Sequence, residues 1–348
     1  MQQRSFSIWS VLLSLVFIAS CGAEDDQPEP EPLSGSGLIV LNEGGFQKGN
    51  SSITFIPEEA FSENSGVDVE LEFELFEKEN GIPLGDVGHS IVSINDLLYV
   101  VMNNSGMIRV LDPENFSEKA RIEGLTSPRY IVPISDSKAY VSDLYANAIS
   151  IVDLNSHQVT GQIQLRGKTE KMVVYRNEVY VSNNENEHIF TIDIETDSIT
   201  DSINIGGYSN ELFIYKAQVA AIRNAQSVED VKGAIVIINT LSHTLSTITE
   251  FEYDEKMWYA RGFSNSTNSL YFAVGSTVYH FETGIITKLF DTEGFSPYNL
   301  FVLDDNIWLT DAKDYQQRGE VIQYNSSGER MSSFTTGVIP NQLLFLFE

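Results

Sequence analysis

The chain has 348 residues, 42% hydrophobic and 11% aromatic, with 49 acidic against 21 basic side chains and a net charge of −28. That composition suits a globular protein, while the acidity argues against nucleic acid and anionic lipid surfaces as partners, which require basic patches. The single cysteine excludes an internal disulfide, so the fold must hold through its core.

Residues 1–20 read as an export signal: Arg4 is followed by a short apolar run, Ile8 to Ile18, too short to anchor in a bilayer. The run ends in IASC, and Cys21 sits directly after the small residues. This resembles the lipobox of bacterial lipoproteins, which implies lipidation at Cys21. Residues 21–36 continue acidic, then Pro-rich, then Gly/Ser-rich, with little to bury, as a tether does. The trio Glu24, Asp25 and Asp26 resembles the surface-export signal of Bacteroidota lipoproteins; ordinary linker charge is the other reading.

From residue 37 onward the chain is read as one folded domain, 37–348. LIVLNEGG (38–45) and SITFIP (52–57) form the first of seven strand pairs. Three more pairs share a phrase: YVVMNNSGMIRVLDP (99–113), YVSDLYANAISIVDL (140–154) and YVSNNENEHIFTIDI (180–194). Their tyrosines, Tyr99, Tyr140 and Tyr180, are 41 and 40 residues apart, and an aspartate follows each after 13 residues: Asp112, Asp153 and Asp193. Weaker copies follow. QVAAIRN (218–224) pairs with AIVIIN (234–239) across an insertion, SLYFAV (269–274) with TVYHFE (277–282), and NIWLTD (306–311) with EVIQYN (320–325).

Each pair is preceded by an apolar segment and followed by a more polar one. A period near 40 in strand-length segments points to propeller blades. The fold class is therefore all-β: a seven-bladed β-propeller with four-stranded antiparallel blades. The domain opens on the second strand of a blade and ends on a first strand, NQLLFLF (341–347). The C-terminal strand is thus expected to close the ring on the N-terminal blade.

The phrase around YVSN resembles the YVTN-type, YncE-like propellers. A fuller likeness runs through NEGGF, NGIPLGDVGHS (80–90), GLTSPRYI (124–131) and TDAKDYQQRGEVIQY (310–324). These segments resemble the lipoprotein propellers of Bacteroidota that include surface cobalamin-capture proteins. The resemblance implies a corrinoid as ligand, a TonB-dependent transporter as partner, and a lipid-anchored place on the outer membrane, at the cell surface.

Loops that lead into first strands and loops between second and third strands share one face of a propeller. They place Asp86, Asn104, Arg129, Tyr130, Tyr145, Asn183, Trp258, Tyr259, Tyr298, Asn299 and Tyr315 around the mouth. Flat aromatic faces and neutral amides suit a wide ring edged with carboxamides; Asn and Asp are also ordinary turn residues. No catalytic residue, metal site or cofactor is assigned. The five histidines lack ligand spacing, His157 falls in a turn where solvent is expected to meet it, and DAKD (311–314) reads as a polar loop. DSI, at 197–199 and 201–203, resembles a short O-glycosylation motif. The expectation is a non-catalytic binding protein. The alternatives are a metal-dependent lactonase or lyase on the same face, and a protein-docking propeller of the envelope.

Overall fold

The structure is a computed structural model that describes residues 35–61, 71–225, 231–251, 261–266, 269–303 and 305–346. Two compact units are distinguished, Met1–Glu31 and Pro32–Glu348, and the strands of the described residues lie in the second.

The first strands are β1 (Gly37–Asn42) and β2 (Ser52–Pro57), followed by a 3-10 turn at Glu58–Ala60 and one short helix, α1 (Leu75–Asn80). Six four-stranded antiparallel sheets come next, each in sequence order. Blade 1 is β3 to β6 (Gly88–Ile94, Leu97–Met102, Met107–Leu111, Glu118–Ile122) and blade 2 is β7 to β10 (Pro128–Pro133, Lys138–Asp143, Ala148–Asp153, Gln158–Gln164). Blade 3 is β11 to β14 (Thr169–Tyr175, Glu178–Asn183, His188–Asp193, Ser198–Asn204) and blade 4 is β15 to β18 (Glu211–Tyr215, Gln218–Arg223, Gly233–Asn239, Thr244–Phe251). Blade 5 is β19 to β22 (Arg261–Ser266, Ser269–Val274, Thr277–Glu282, Ile285–Asp291) and blade 6 is β23 to β26 (Asn299–Leu303, Asn306–Asp311, Arg318–Tyr324, Arg330–Val338).

Blade 7 joins the two ends of the domain. β27 (Pro340–Leu346) pairs antiparallel with β1, from Gly37 opposite Leu346 to Asn42 opposite Pro340. β2 lies on the other side of β1, and a single bridge from Phe55 to Glu72 stands in the fourth position. The fold is thus a seven-bladed propeller closed as the phase of its two ends requires. The first strands of successive blades touch around the whole ring, so they line the channel. The close approach at the seam needs a glycine: a Cβ on Gly319 would lie 2.2 Å from Pro340 and 2.5 Å from the Asp311 carbonyl.

The burial patterns explain the strand order. Second strands such as EVYVSN and QVAAIR are buried on both faces, and their centres, VYV and VAAI, do not alternate with polar residues. Outermost strands alternate, as in QVTGQIQ, because one face meets solvent.

The repeated phrase has a mechanical meaning. The aspartate caps the turn between third and fourth strands: Asp112 accepts the Glu114 N–H, Asp153 that of Asn155, and Asp193 those of Glu195 and Thr196. Asn239 does the same in blade 4. Four residues after each capping residue the backbone turns left-handed, at Phe116 (φ 59°), His157 (54°), Asp197 (52°) and His243 (51°). Each of these side chains reaches back to the preceding blade. Phe116 enters the core cluster of Ile39 and Phe55. His157 faces Tyr99, ring centroids 6.1 Å apart. Asp197 accepts the Tyr140 hydroxyl and, at 2.8 Å, the Lys138 ammonium. His243 stands edge-on to Tyr180 at 6.1 Å, with Glu178 2.9 Å from its Nε2. In blade 5 the Thr283 N–H donates to the Tyr215 hydroxyl at 2.9 Å. His157 is therefore an inter-blade contact, half-buried, rather than a solvated turn residue.

Candidate functional site

The register of every blade places the start of its first strand beside the end of its second and the start of its third, as with Gly88, Met102 and Met107. First-strand starts and the loops between second and third strands therefore share one face, and they form the mouth of the channel.

Polar side chains at these starts join each blade to the next. Asn299 Nδ2 donates to Asn341 Oδ1 at 3.3 Å, and Asn341 Nδ2 donates to the His89 carbonyl at 2.9 Å. Ser90 donates to the Arg129 carbonyl at 2.6 Å, and Arg129 Nε to Glu170 at 2.7 Å. Lys171 lies 3.4 Å from Glu211. A belt of hydrogen bonds thus runs from blade 6 through blades 7, 1, 2 and 3 to blade 4. Burial disfavours the Arg129 charge, but Glu170 outweighs it and holds the guanidinium above its usual range.

Below the belt the channel encloses about 360 Å³, with Ile91, Ile131, Met172, Leu300 and Leu343 on its walls and Tyr130 and Lys171 at its upper edge. The Lys171 ammonium lies over two rings, 5.7 Å from the centroid of Tyr130 and 5.5 Å from that of Phe213. Such an arrangement favours a cation over aromatic faces. Tyr130 also packs edge-on against His89 at 4.9 Å.

The residues expected at the mouth divide into three groups. Tyr130 and Asn299 begin first strands and line the channel, and Arg129 stands beside Tyr130 in the belt. Asp86, Asn104, Tyr145, Tyr298 and Tyr315 lie in the surrounding loops. Asp86 clasps two of these loops, accepting the Gln47 N–H at 3.1 Å and Asn104 Nδ2 at 2.6 Å. Tyr145 and Tyr315 are 62% and 57% exposed. The Tyr298 hydroxyl donates to Glu43 at 2.7 Å, and its ring stands edge-on to Tyr315 at 6.0 Å.

Asn183 is a correction. It is fully buried, donates to the Arg166 carbonyl at 3.1 Å and accepts the N–H groups of Glu185 and Asn186. Its amide shapes the loop and presents nothing to a ligand. Asp143 holds the equivalent position in blade 2, where its carboxylate accepts four backbone N–H groups, those of Thr126, Ser127, Tyr145 and Ala146. Trp258, Tyr259 and Cys21 lie outside the described residues.

Two features went unassigned in the sequence. Phe46, 64% exposed in the loop between β1 and β2, adds an aromatic to the mouth face; its signal was the NEGGF segment. The other is Lys171, whose contact with two rings depends on Phe213 of the next blade. Among the described residues, no three His, Cys, Asp or Glu side chains gather as metal ligands. The Asp311 carboxylate in DAKD is paired with Lys313 at 2.8 Å.

Residues 36–302 match the family described as Domain of unknown function (DUF5074). No curated protein matches the sequence. Among solved structures, the chain is similar to a quinonprotein alcohol dehydrogenase-like protein from Bacteroides thetaiotaomicron, with 13% identity and a TM-score of 0.68 over 89% of this chain and 78% of that one. It is also similar to a functionally unknown protein from Desulfotomaculum acetoxidans, with 10% identity and a TM-score of 0.64 over 90% and 99% of the two chains. Dihydro-heme d1 dehydrogenase NirN in complex with DHE matches with 10% identity and a TM-score of 0.59 over 88% and 74%. At such identities the likeness is one of fold.

Proposed function

We propose that the propeller mouth of this chain, which belongs to the DUF5074 family, captures a corrinoid of the cobalamin type, without chemistry, and passes it to a TonB-dependent transporter. The observation that carries this reading is the aromatic mouth: Tyr130, Tyr145, Tyr298 and Tyr315 stand on one face around an apolar-walled channel. The likeness of NGIPLGDVGHS, GLTSPRYI and TDAKDYQQRGEVIQY to the cobalamin-capture propellers supports it from the sequence.

A whole corrinoid, with its carboxamide arms and nucleotide loop, is far larger than the 360 Å³ channel, so it lies across the mouth. The tyrosine rings give flat contact, and Asn104 and Asn299 meet the carboxamide arms. Arg129 donates its Nε–H to Glu170, and among the described residues its terminal nitrogens have no hydrogen bond, so they address the phosphate of the nucleotide loop. Lipidation at Cys21 places the protein on the outer membrane at the cell surface, near the transporter it serves.

Mixing the compact unit Pro32–Glu348 with cyanocobalamin and desalting the mixture tests the ligand. Colour should travel with the protein; if no corrinoid is retained, the reading fails. A Cys21→Ser protein should leave the membrane fraction, and one that stays there contradicts the anchor.

A further inference from the structure

With a corrinoid lying across the mouth, the channel beneath the belt is left to be filled. It encloses about 360 Å³, at the lower end of the range of about 300–1,000 Å³ common for small-ligand sites. Ile91, Ile131, Met172 and Leu300 stand on its walls, and Val92 and Val132 are half-buried along them. Polar side chains on the same walls are spent within the protein. Gln342 Oε1 takes the Ile91 N–H at 2.8 Å, Asn341 Nδ2 donates to the His89 carbonyl at 2.9 Å, and Ser90 donates to that of Arg129 at 2.6 Å. A group with hydroxyls or free ring nitrogens on its edge would leave them unpaired here and lose affinity. A flat group with a hydrocarbon edge brings no such loss.

Arg129 decides which side of the ligand turns inward. It stands in the belt beside Tyr130, at the upper edge of the channel. A phosphate held there turns the corrin face that carries the nucleotide loop toward the protein. In the base-on form of cobalamin that face also carries the dimethylbenzimidazole, which stands steeply to the corrin plane. One ring nitrogen of this base is on cobalt and the other on the ribose. The edge pointing away from the corrin is therefore hydrocarbon, with two methyl groups, and the short ribose link keeps the base close to the phosphate.

We infer that the channel receives this lower base, so that the site selects corrinoids with an apolar benzimidazole and is indifferent to the upper axial ligand. The inference rests on the corrinoid reading of the mouth and adds the part of the ligand that is recognised. A purine in place of the benzimidazole keeps the phosphate but turns ring nitrogens and an amino group onto apolar walls.

The test is calorimetry on the purified protein with cyanocobalamin, adenosylcobalamin, the cobamide that carries adenine as its lower base, and cobinamide, which has neither base nor phosphate. The first two should bind alike within about twofold. The adenine cobamide and cobinamide should each bind about tenfold more weakly or worse, the loss expected when buried polar groups go unpaired or a buried contact is missing. Val92→Phe and Val132→Phe, which narrow the channel, should each weaken cyanocobalamin by about tenfold and leave cobinamide within about twofold. Near-unchanged melting of either variant would separate a filled channel from lost folding. If the adenine cobamide binds as tightly as cyanocobalamin, or the adenosyl group changes the affinity tenfold, the inference falls while the corrinoid reading stands. Equal losses of cyanocobalamin and cobinamide in a folded variant have the same meaning. If none of the four binds, both fall.

Discussion

The hydroxyl of Tyr298 is engaged by Glu43 at 2.7 Å, while its ring stands beside Tyr315 on the mouth face. Those two roles can be separated by substitution. If the ring is what a corrinoid meets, Tyr298→Phe keeps the affinity within about twofold, and Tyr298→Ala weakens it by about tenfold or more. Titration calorimetry on the two variants decides this, and equal losses in both would mean that the Glu43 hydrogen bond matters more than the face. The sequence could name Tyr298 as a mouth residue because the phase of the strands fixes which loops share a face. It could not say which polar side chains point outward. Asn183 and Asn104 hold neighbouring positions in equivalent loops, yet one is buried under its own turn and the other is exposed. What separates them is whether a linker carbonyl, here that of Arg166, comes close enough to accept the amide. That distance belongs to the assembled blade and has no local signature.

The blade is the unit that the sequence states most openly. Tyrosine, then aspartate 13 residues later, marks a buried second strand and a capped turn, and both stand where the spacing puts them. The hydroxyl partner of Tyr140 is not local. Tyr140 meets Asp197 57 residues further on, in the next blade. Period analysis finds the repeat but not the contact that makes the repeat necessary.

This contact has a signature in pH. Burial first, and Asp197 second, hold the Tyr140 hydroxyl above its usual range. A folded-state value raised above the unfolded one, about 10, means that the protonated hydroxyl contributes stability in full below that pH. The contribution is lost as pH rises above it. Tyr140→Phe should therefore cost about 1 kcal/mol at neutral pH, the ordinary net worth of a hydrogen bond. The difference from the unmodified protein should shrink above about pH 10. Denaturant unfolding across pH 7 to 11 would show this; a constant difference over that range contradicts the account.

At the scale of the whole ring, stability rests on one seam. β27 supplies the first strand of blade 7, and its loss would uncover β1, the walls of the channel and the Gly319 contact with Pro340. Deleting residues 341–348 should lower the melting temperature by about 10 °C or more, several kcal/mol at the scaling for a large domain. Unchanged melting would mean that the ring is held elsewhere. Gly319→Ala should act in the same direction, because its Cβ has no space between Pro340 and the Asp311 carbonyl.

The same seam gives the domain a direction-dependent strength. β1 lies between β2 and β27, with six residue pairs in register against β2 and five against β27 before a bulge shifts Asn42 onto Pro340. A load drawn through the residues before Gly37, along the strand, has to shear both ladders at once. A load drawn between the two ends of the domain enters where Gly37 faces Leu346 and can part that ladder one pair at a time. Held by its front end alone, as a lipid anchor would hold it, the ring is loaded along its strong axis; gripped by both ends, it opens like a zip.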